Sequence, residues 1–115
     1  MNYKMSHNIA VRTNHFQEAL IFYSQVLGFP NRSSDSELGD HDANPFNLYV
    51  IEDDEIKGLV MELFVDDLES AKENMVANGC KIIRWRGKGK DCYIRDPFGI
   101  IFNIWEKSKS EQLNI

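Results

Sequence analysis

Positive charge is in short supply in this chain. Its 115 residues carry 13 Lys and Arg against 18 Asp and Glu, a formal net charge of -5. That balance argues against a nucleic-acid footprint and disfavours binding to an anionic membrane surface. Long hydrophobic runs are missing too. No stretch approaches the ~20 apolar residues a bilayer-spanning helix needs. Met1-Asn-Tyr-Lys-Met5 leads into polar Ser6-His7-Asn8 rather than a signal-peptide apolar run, so the expected location is cytoplasmic. Cysteine is limited to Cys80 and Cys92. In a cytosolic chain these are expected to be free thiols. If Trp85-Arg-Gly-Lys-Gly-Lys-Asp91 is a hairpin centred on Lys88, Cys92 lies opposite Arg84 and Cys80 lies near Asp96, so the sulfurs do not meet. Several catalytic signatures are absent as well: GxSxG, P-loop, dinucleotide fingerprint and HExxH. Gly87-Lys-Gly89 joins two strands and opens no helix, so it is no phosphate cradle.

What remains is ordinary globular composition, 43% hydrophobic and 27% charged, on a length that suits one compact domain. The chain says nearly the same thing twice. Val11-Arg-Thr-Asn-His-Phe-Gln-Glu-Ala19 leaves an apolar strand for a helix ending at Leu27-Gly28-Phe29. Val65-Asp-Asp-Leu-Glu-Ser-Ala71 does the same, with its helix ending at Asn78-Gly79-Cys80. Two copies of one supersecondary unit pack to bury a core that neither could bury alone, and function is expected in the groove they enclose.

In the first copy, His7-Asn-Ile-Ala-Val-Arg12 alternates as a strand, with His7, Ile9 and Val11 on one face and Asn8, Ala10 and Arg12 on the other. Asn14 reads as an N-cap, with Gln17 in the capping-box position. Phe16, Ala19, Leu20, Tyr23, Val26 and Leu27 form an apolar helical stripe. Pro30 to Pro45 reads as polar chain holding one short edge strand at most, and Gly39-Asp-His-Asp-Ala-Asn-Pro45 as loop. Phe46 to Ile51 is a strand, and Glu52-Asp-Asp-Glu-Ile-Lys-Gly58 an acidic linker. In the second copy, Leu59 to Val65 is a strand that is apolar except for Glu62. Asp67 caps a helix whose stripe is Leu68, Ala71, Met75 and Val76. Lys81–Trp85 and Asp91–Arg95 form a hairpin, Asp96-Pro-Phe-Gly99 a tight turn, Ile100–Trp105 the last strand, and Lys107 to Ile115 a polar tail. The order strand–helix–strands, given twice, predicts an α+β fold with helices on one face of a curved sheet.

Three of these segments together resemble the vicinal oxygen chelate superfamily, which includes glyoxalase I, extradiol dioxygenases and the fosfomycin- and bleomycin-resistance proteins. They are Phe22-Tyr-Ser-Gln-Val-Leu-Gly-Phe29, Val65-Asp-Asp-Leu68 and Asp96-Pro-Phe-Gly99. The resemblance implies a single domain over residues 1–115, built from two βαβββ modules at about 5–52 and 59–106. Their mixed sheet curls around a cavity with helices on its outer face, and a homodimer usually completes the cavity. In metal-using members, three strands supply a His, a His or Gln, and a Glu to a divalent cation. Counting from the landmarks above, these positions fall on His7, Val60 and Asn103. A valine cannot ligate, and a neutral amide replaces a carboxylate poorly. Glu62, two residues past Val60, could serve as a shifted ligand about 6–7 Å further along the strand.

The candidate site residues follow. Glu62 is either a general base or the partner of Arg12, Arg84 or Arg95. Phe64, Trp85, Tyr93 and Trp105 are either cavity aromatics or ordinary core. Asn103 and Trp105 share a face of the last strand with Ile101, while Ile100, Phe102 and Ile104 are expected under the helices. His7 is either a metal ligand or a solvated strand-start histidine, and His15 and His41 are expected to have no role. The preferred expectation is a binder of a small organic ligand, cationic or neutral, without a cofactor. The alternative is a divalent-metal lyase or isomerase that resembles glyoxalase I and uses His7 and Glu62. A regulatory or immunity-type interaction module with a vestigial cavity is a third.

Overall fold

The structure is a computed structural model that describes residues 2–108 and Glu111; most of the expected polar tail lies outside the described residues. Among them the architecture is mixed α+β, with eight strands and two helices. The elements are β1 (Tyr3–Thr13), α1 (Phe16–Ile21) continued by a π-helical turn (Phe22–Val26), β2 (Asn31–Ser34), β3 (Leu38–Ala43), β4 (Phe46–Glu52), β5 (Gly58–Val65), α2 (Leu68–Ala77), β6 (Lys81–Trp85), β7 (Cys92–Arg95) and β8 (Ile101–Glu106). The chain divides into two compact units, the first His7–Val60 and the second Met1–Ser6 with Met61–Ile115.

In the first unit the strand order is β2-β3-β4-β1, with β1 and β4 parallel and β3 antiparallel to β4. The register sets Ile9 beside Leu48 and Val11 beside Val50, then His41 beside Leu48 and Gly39 beside Val50. These residues form one face, and α1 packs on it through β4. Phe16, Leu48 and Val50 are buried there. Gly39 is the point of closest approach: a Cβ at this position would run into the Leu20 side chain.

Residues 31–43 depart from the polar-chain expectation, because both β2 and β3 form there. Asp40 and Asp42 alternate with Gly39 and His41, so a period-two pattern is present. Its apolar half is a glycine and a histidine, which hydropathy reads as loop. Pairing with β4 supplies what composition does not.

The first helix also differs from expectation. It starts after His15 rather than Asn14, and no side chain caps it. Its last turn widens. Ser24 Oγ donates to the Leu20 carbonyl at 2.6 Å, and further on the Leu27 N–H reaches back five residues to the Phe22 carbonyl. A serine hydroxyl competing for a helix carbonyl loosens the ladder in this way. The wider turn changes the phase of the apolar stripe, so Val26 and Leu27 are exposed rather than buried.

In the second unit the order is β5-β8-β7-β6. Val65, Leu68, Ala71, Cys92, Ile94 and Ile104 make its core, with Tyr3, Leu63, Met75, Cys80, Trp85 and Phe102 packed against them. Phe102 and Ile104 therefore take the expected helix-side face of β8, whereas Ile100 is exposed. Val76, the last residue of the expected α2 stripe, is exposed as well. Asp67 caps α2 as expected, its Oδ1 accepting the Ser70 N–H at 2.9 Å. That bond holds the Asp67 carboxyl below its ordinary value. Depression of the folded-state value means the cap contributes stability above the ordinary Asp pKa of 3.8 and loses it as pH falls through the lower folded value. Asp67→Ala is accordingly expected to lower Tm at pH 7. In thermal melts at descending pH, its difference from the unsubstituted protein should close below that ordinary value. A constant difference at every pH would refute the cap's ionic character.

The acidic linker is less solvated than its composition suggests. Asp53 is buried and its Oδ2 meets Arg12 at 2.9 Å. Its Oδ1 accepts the N–H groups of Glu55 and Ile56, and its own N–H donates to the Thr13 carbonyl. The linker is thus pinned to the end of β1.

Candidate functional site

Alternation decides which side chains the second unit presents away from α2. On β5, Leu63 and Val65 join the core, which leaves Glu62 and Phe64 on the other face. On β8, Phe102 and Ile104 point helixward, leaving Asn103 and Trp105. On β7, Cys92 and Ile94 point helixward, leaving Tyr93 and Arg95. The register places Tyr93 beside Asn103 and Arg84 beside Tyr93. Phe64 and Tyr93 are buried, while Glu62, Asn103 and Trp105 are half-buried. Two cations lie over the aromatic rings: Arg84 is 5.8 Å from the Tyr93 centroid, and Lys107 Nζ is 4.6 Å from that of Phe64. Both distances fall in the cation–π range. The face therefore combines an aromatic floor with groups that can hydrogen-bond and carry charge of either sign.

Trp85 is not on this face. It pairs with Cys92, packs on the core under α2, and has Lys72 Nζ 4.9 Å from its ring centroid. The cause is a bulge between Ile82 and Arg84. The extra residue shifts the hairpin by one, so Trp85 rather than Arg84 opposes Cys92. Before the bulge the expected register holds, with Lys81 opposite Arg95. Both cysteines are free. Burial, with Asp96 adding to it, pushes the Cys80 thiol up, so at neutral pH it stays protonated and unreactive.

The three positions counted for a metal fare differently. Val60 is a buried core residue. Asn103 spends its amide oxygen on the sheet, Oδ1 accepting the Cys92 N–H at 3.2 Å. His7 is exposed, and its parity is that of Ile9 and Val11, which face the α1 side. The helix starts explain the mismatch. Val60 lies seven residues before the α2 cap Asp67, and seven residues before the α1 cap His15 is Asn8, not His7. The equivalent positions thus carry Asn8, Val60 and Asn103. Among the described residues no three His, Cys, Asp or Glu side chains gather as a metal centre requires. Arg12 pairs with Asp53, and Arg84 with Asp91 at 3.4 Å.

Asn8 leads to a network that sequence reasoning missed. Its Oδ1 accepts from Asn47 Nδ2 at 2.9 Å. Asn47 Oδ1 in turn accepts from Arg32 at 2.7 Å, and Arg32 is paired with Asp40 at 2.9 Å. These four lie on the first unit's face away from α1. The alternation of Asn47 with Leu48 on β4 was a usable signal for one member; the rest depended on β2 and β3. On the opposite face His41 is fully buried. Its Nε2 is 3.3 Å from Asn31 Nδ2, its ring is 6.5 Å from that of Tyr23, and among the described residues its Nδ1 has no hydrogen-bond partner.

Each unit lays one helix on one face of its strands and leaves polar side chains on the other, in a strand–helix–strands order given twice, and this is a glyoxalase-type α+β fold. Residues 8–105 match the sequence profile of the glyoxalase-like domain family. The chain belongs to that family. No curated protein matches it. Solved structures do. A glyoxalase/bleomycin resistance protein/dioxygenase superfamily member from Vibrio splendidus is 14% identical with a TM-score of 0.63, over 92% of this chain and 100% of that one. A hypothetical protein from Bacillus halodurans is 13% identical with a TM-score of 0.63, over 95% and 97%. A Legionella pneumophila protein named as an NAD-dependent benzaldehyde dehydrogenase is 13% identical with a TM-score of 0.65, over 86% and 96%. Identities this low show a shared fold and carry no activity across.

Proposed function

We propose that this protein binds a small organic ligand without a catalytic metal, in the manner of the bleomycin-resistance members of its class. The ligand rests on the face formed by Glu62, Phe64, Tyr93, Asn103 and Trp105. The observation that carries this reading is the donor set. Where metal-using relatives of the class need imidazole and carboxylate, this chain offers two amides and a valine, and one of those amides already serves a backbone N–H. Neutral amides and an aliphatic side chain cannot hold a catalytic divalent ion. They suit a face that recognises an organic molecule through stacking and a few directed hydrogen bonds. Glu62 supplies an acceptor for a donor or cation on the ligand, and the net charge of -5 attracts cationic or neutral ligands. The protein acts in the cytoplasm as a homodimer, with neither nucleic acid nor membrane as a partner; no described helix is long and apolar enough to cross a membrane.

The test is the metal content of protein purified without chelator, together with thermal shifts in Mn, Fe, Co, Ni and Zn. Substoichiometric metal and an unmoved Tm are expected, since any ion that binds the folded state raises it. Stoichiometric metal that disappears in His7→Ala would overturn the reading in favour of a metal-dependent lyase using His7 and Glu62.

A further inference from the structure

Among the described residues, the strand that ends the second unit's sheet has a single neighbour. β6 pairs with β7 and is last in the order β5-β8-β7-β6. Its outer backbone groups point away from β7, which makes it a template for another extended segment. The surroundings of that edge differ on its two sides.

On the helix side lies a groove of about 380 Å³, lined by Lys72, Glu73, Val76 and Ala77 of α2 and by Ile82 of β6. Val76 and Ile82 are each more than 40% exposed there. On the opposite side the register sets Lys81 beside Arg95 and Arg84 beside Tyr93. Charge concentrates at this place in the chain. Five of the thirteen Lys and Arg, and none of the eighteen Asp and Glu, fall in Lys81–Lys90. Lys88 is engaged by Glu106 and Arg84 by Asp91, while Lys81, Arg86 and Lys90 are exposed. An acidic protein thus carries one basic edge.

We propose that β6 accepts an extended peptide segment of alternating apolar and acidic residues, added to the sheet beside it as a further strand. Side chains of an added strand alternate between the two faces. Those on the helix side enter the groove over Val76, Ala77 and Ile82, and those on the opposite side meet exposed Lys81. The partner's pattern is therefore dictated by the edge: an apolar residue, then Asp or Glu, repeated. Main-chain hydrogen bonds provide the affinity and the alternating pockets the specificity, as in other strand-addition complexes. Lysines on an edge strand also serve merely to prevent aggregation. That role gives no reason for two apolar side chains to stand exposed beside a groove on the other face. A nucleic acid would use the cations but leave the aliphatic groove idle, and the nearby Trp85, on which a single-stranded base could stack, is packed on the core under Lys72.

The experiment titrates full-length ¹⁵N-labelled protein with a short peptide of alternating Val and Glu, its Val and Lys counterpart, and a Val and Glu version carrying central prolines. Saturable amide shifts confined to Lys81–Trp85 and the facing part of α2 are expected with the first peptide alone. Lys81→Glu and Ile82→Glu change exposed side chains and should keep the melting curve, yet each should weaken binding roughly tenfold, about 1.4 kcal/mol. Equal binding of the Val and Lys peptide, survival of binding with prolines present, or shifts located elsewhere would each overturn the proposal. So would an oligothymidine that shifts the same amides more strongly, or shifts that grow with protein concentration alone, which would make the occupant a nucleic acid or a second copy of this chain.

Discussion

Asp53→Ala is expected to cost about 3 kcal/mol of folding stability, read as a fall in the urea midpoint with an unchanged slope. The Arg12 and Asp53 side chains are 8% and 6% exposed, so the pair is closed to water. Removing the carboxylate takes a close charged partner from a guanidinium that water does not reach, so hydration cannot replace the interaction lost. The substitution also takes the acceptor from two backbone N–H groups that shape the turn after β4. Two further variants separate these effects. Asp53→Asn keeps the turn acceptor but removes the negative charge beside Arg12. Combining it with Arg12→Met removes the charge as well and should recover most of the loss. A cost for Asp53→Ala below about 1 kcal/mol would mean that Arg12 reaches solvent once freed. Because the pair ties β1 to the linker, its loss should also speed proteolysis between Glu52 and Gly58.

Ile104→Ala should destabilise by about 2–5 kcal/mol, and Ile104→Val by about 1. Ile104 is 1% exposed and sits among Val65, Leu68, Ala71, Cys92 and Ile94, so the void left by truncation is lined by strand and helix side chains that cannot all close in. The size of the loss reports how far they do. Phe98 provides the contrast. It is as large a hydrophobe, yet 90% exposed, and Phe98→Ser should leave the midpoint within about 0.5 kcal/mol. If Ile104→Ala behaved like Phe98→Ser, the second unit would lack a fixed core.

Much of the second unit can be read directly from its residues. Leu59–Val65 is an apolar run broken only by Glu62, Asp67 is a cap, the helix stops at Gly79 with φ of +99°, and Lys81–Arg95 has the composition of a hairpin. Each is a local preference that the tertiary structure does not oppose. The first unit is legible in β1 and β4 and opaque between them. A strand whose inward residues are Gly39 and His41 has no hydropathy signal, and β2 has none at all, so both exist because β4 offers them an edge. His15 opening a helix with no side-chain cap is equally unreadable, since Asn14 beside it is the better capping residue by preference.

The candidate site shows the same division. Glu62, Phe64, Tyr93, Asn103 and Trp105 share a face because side chains in a strand alternate, and alternation can be counted without coordinates. Trp85 leaves that face through a bulge worth one residue. The first metal position passes from His7 to Asn8 through a helix start displaced by one residue. A shift of one in a period of two reverses the side to which a residue points. By itself the sequence determined the repeat, the order of elements in the second unit, the family resemblance and the absence of imidazole and carboxylate from two of three ligand positions, all carried by short-range patterns. Only the tertiary structure decided which residues meet: Arg12 with Asp53, Asn8 with Asn47 and Arg32, and Trp85 with the core under α2. Bulges, strand pairing and burial of charge depend on partners distant in sequence, whose contribution no local window of residues contains.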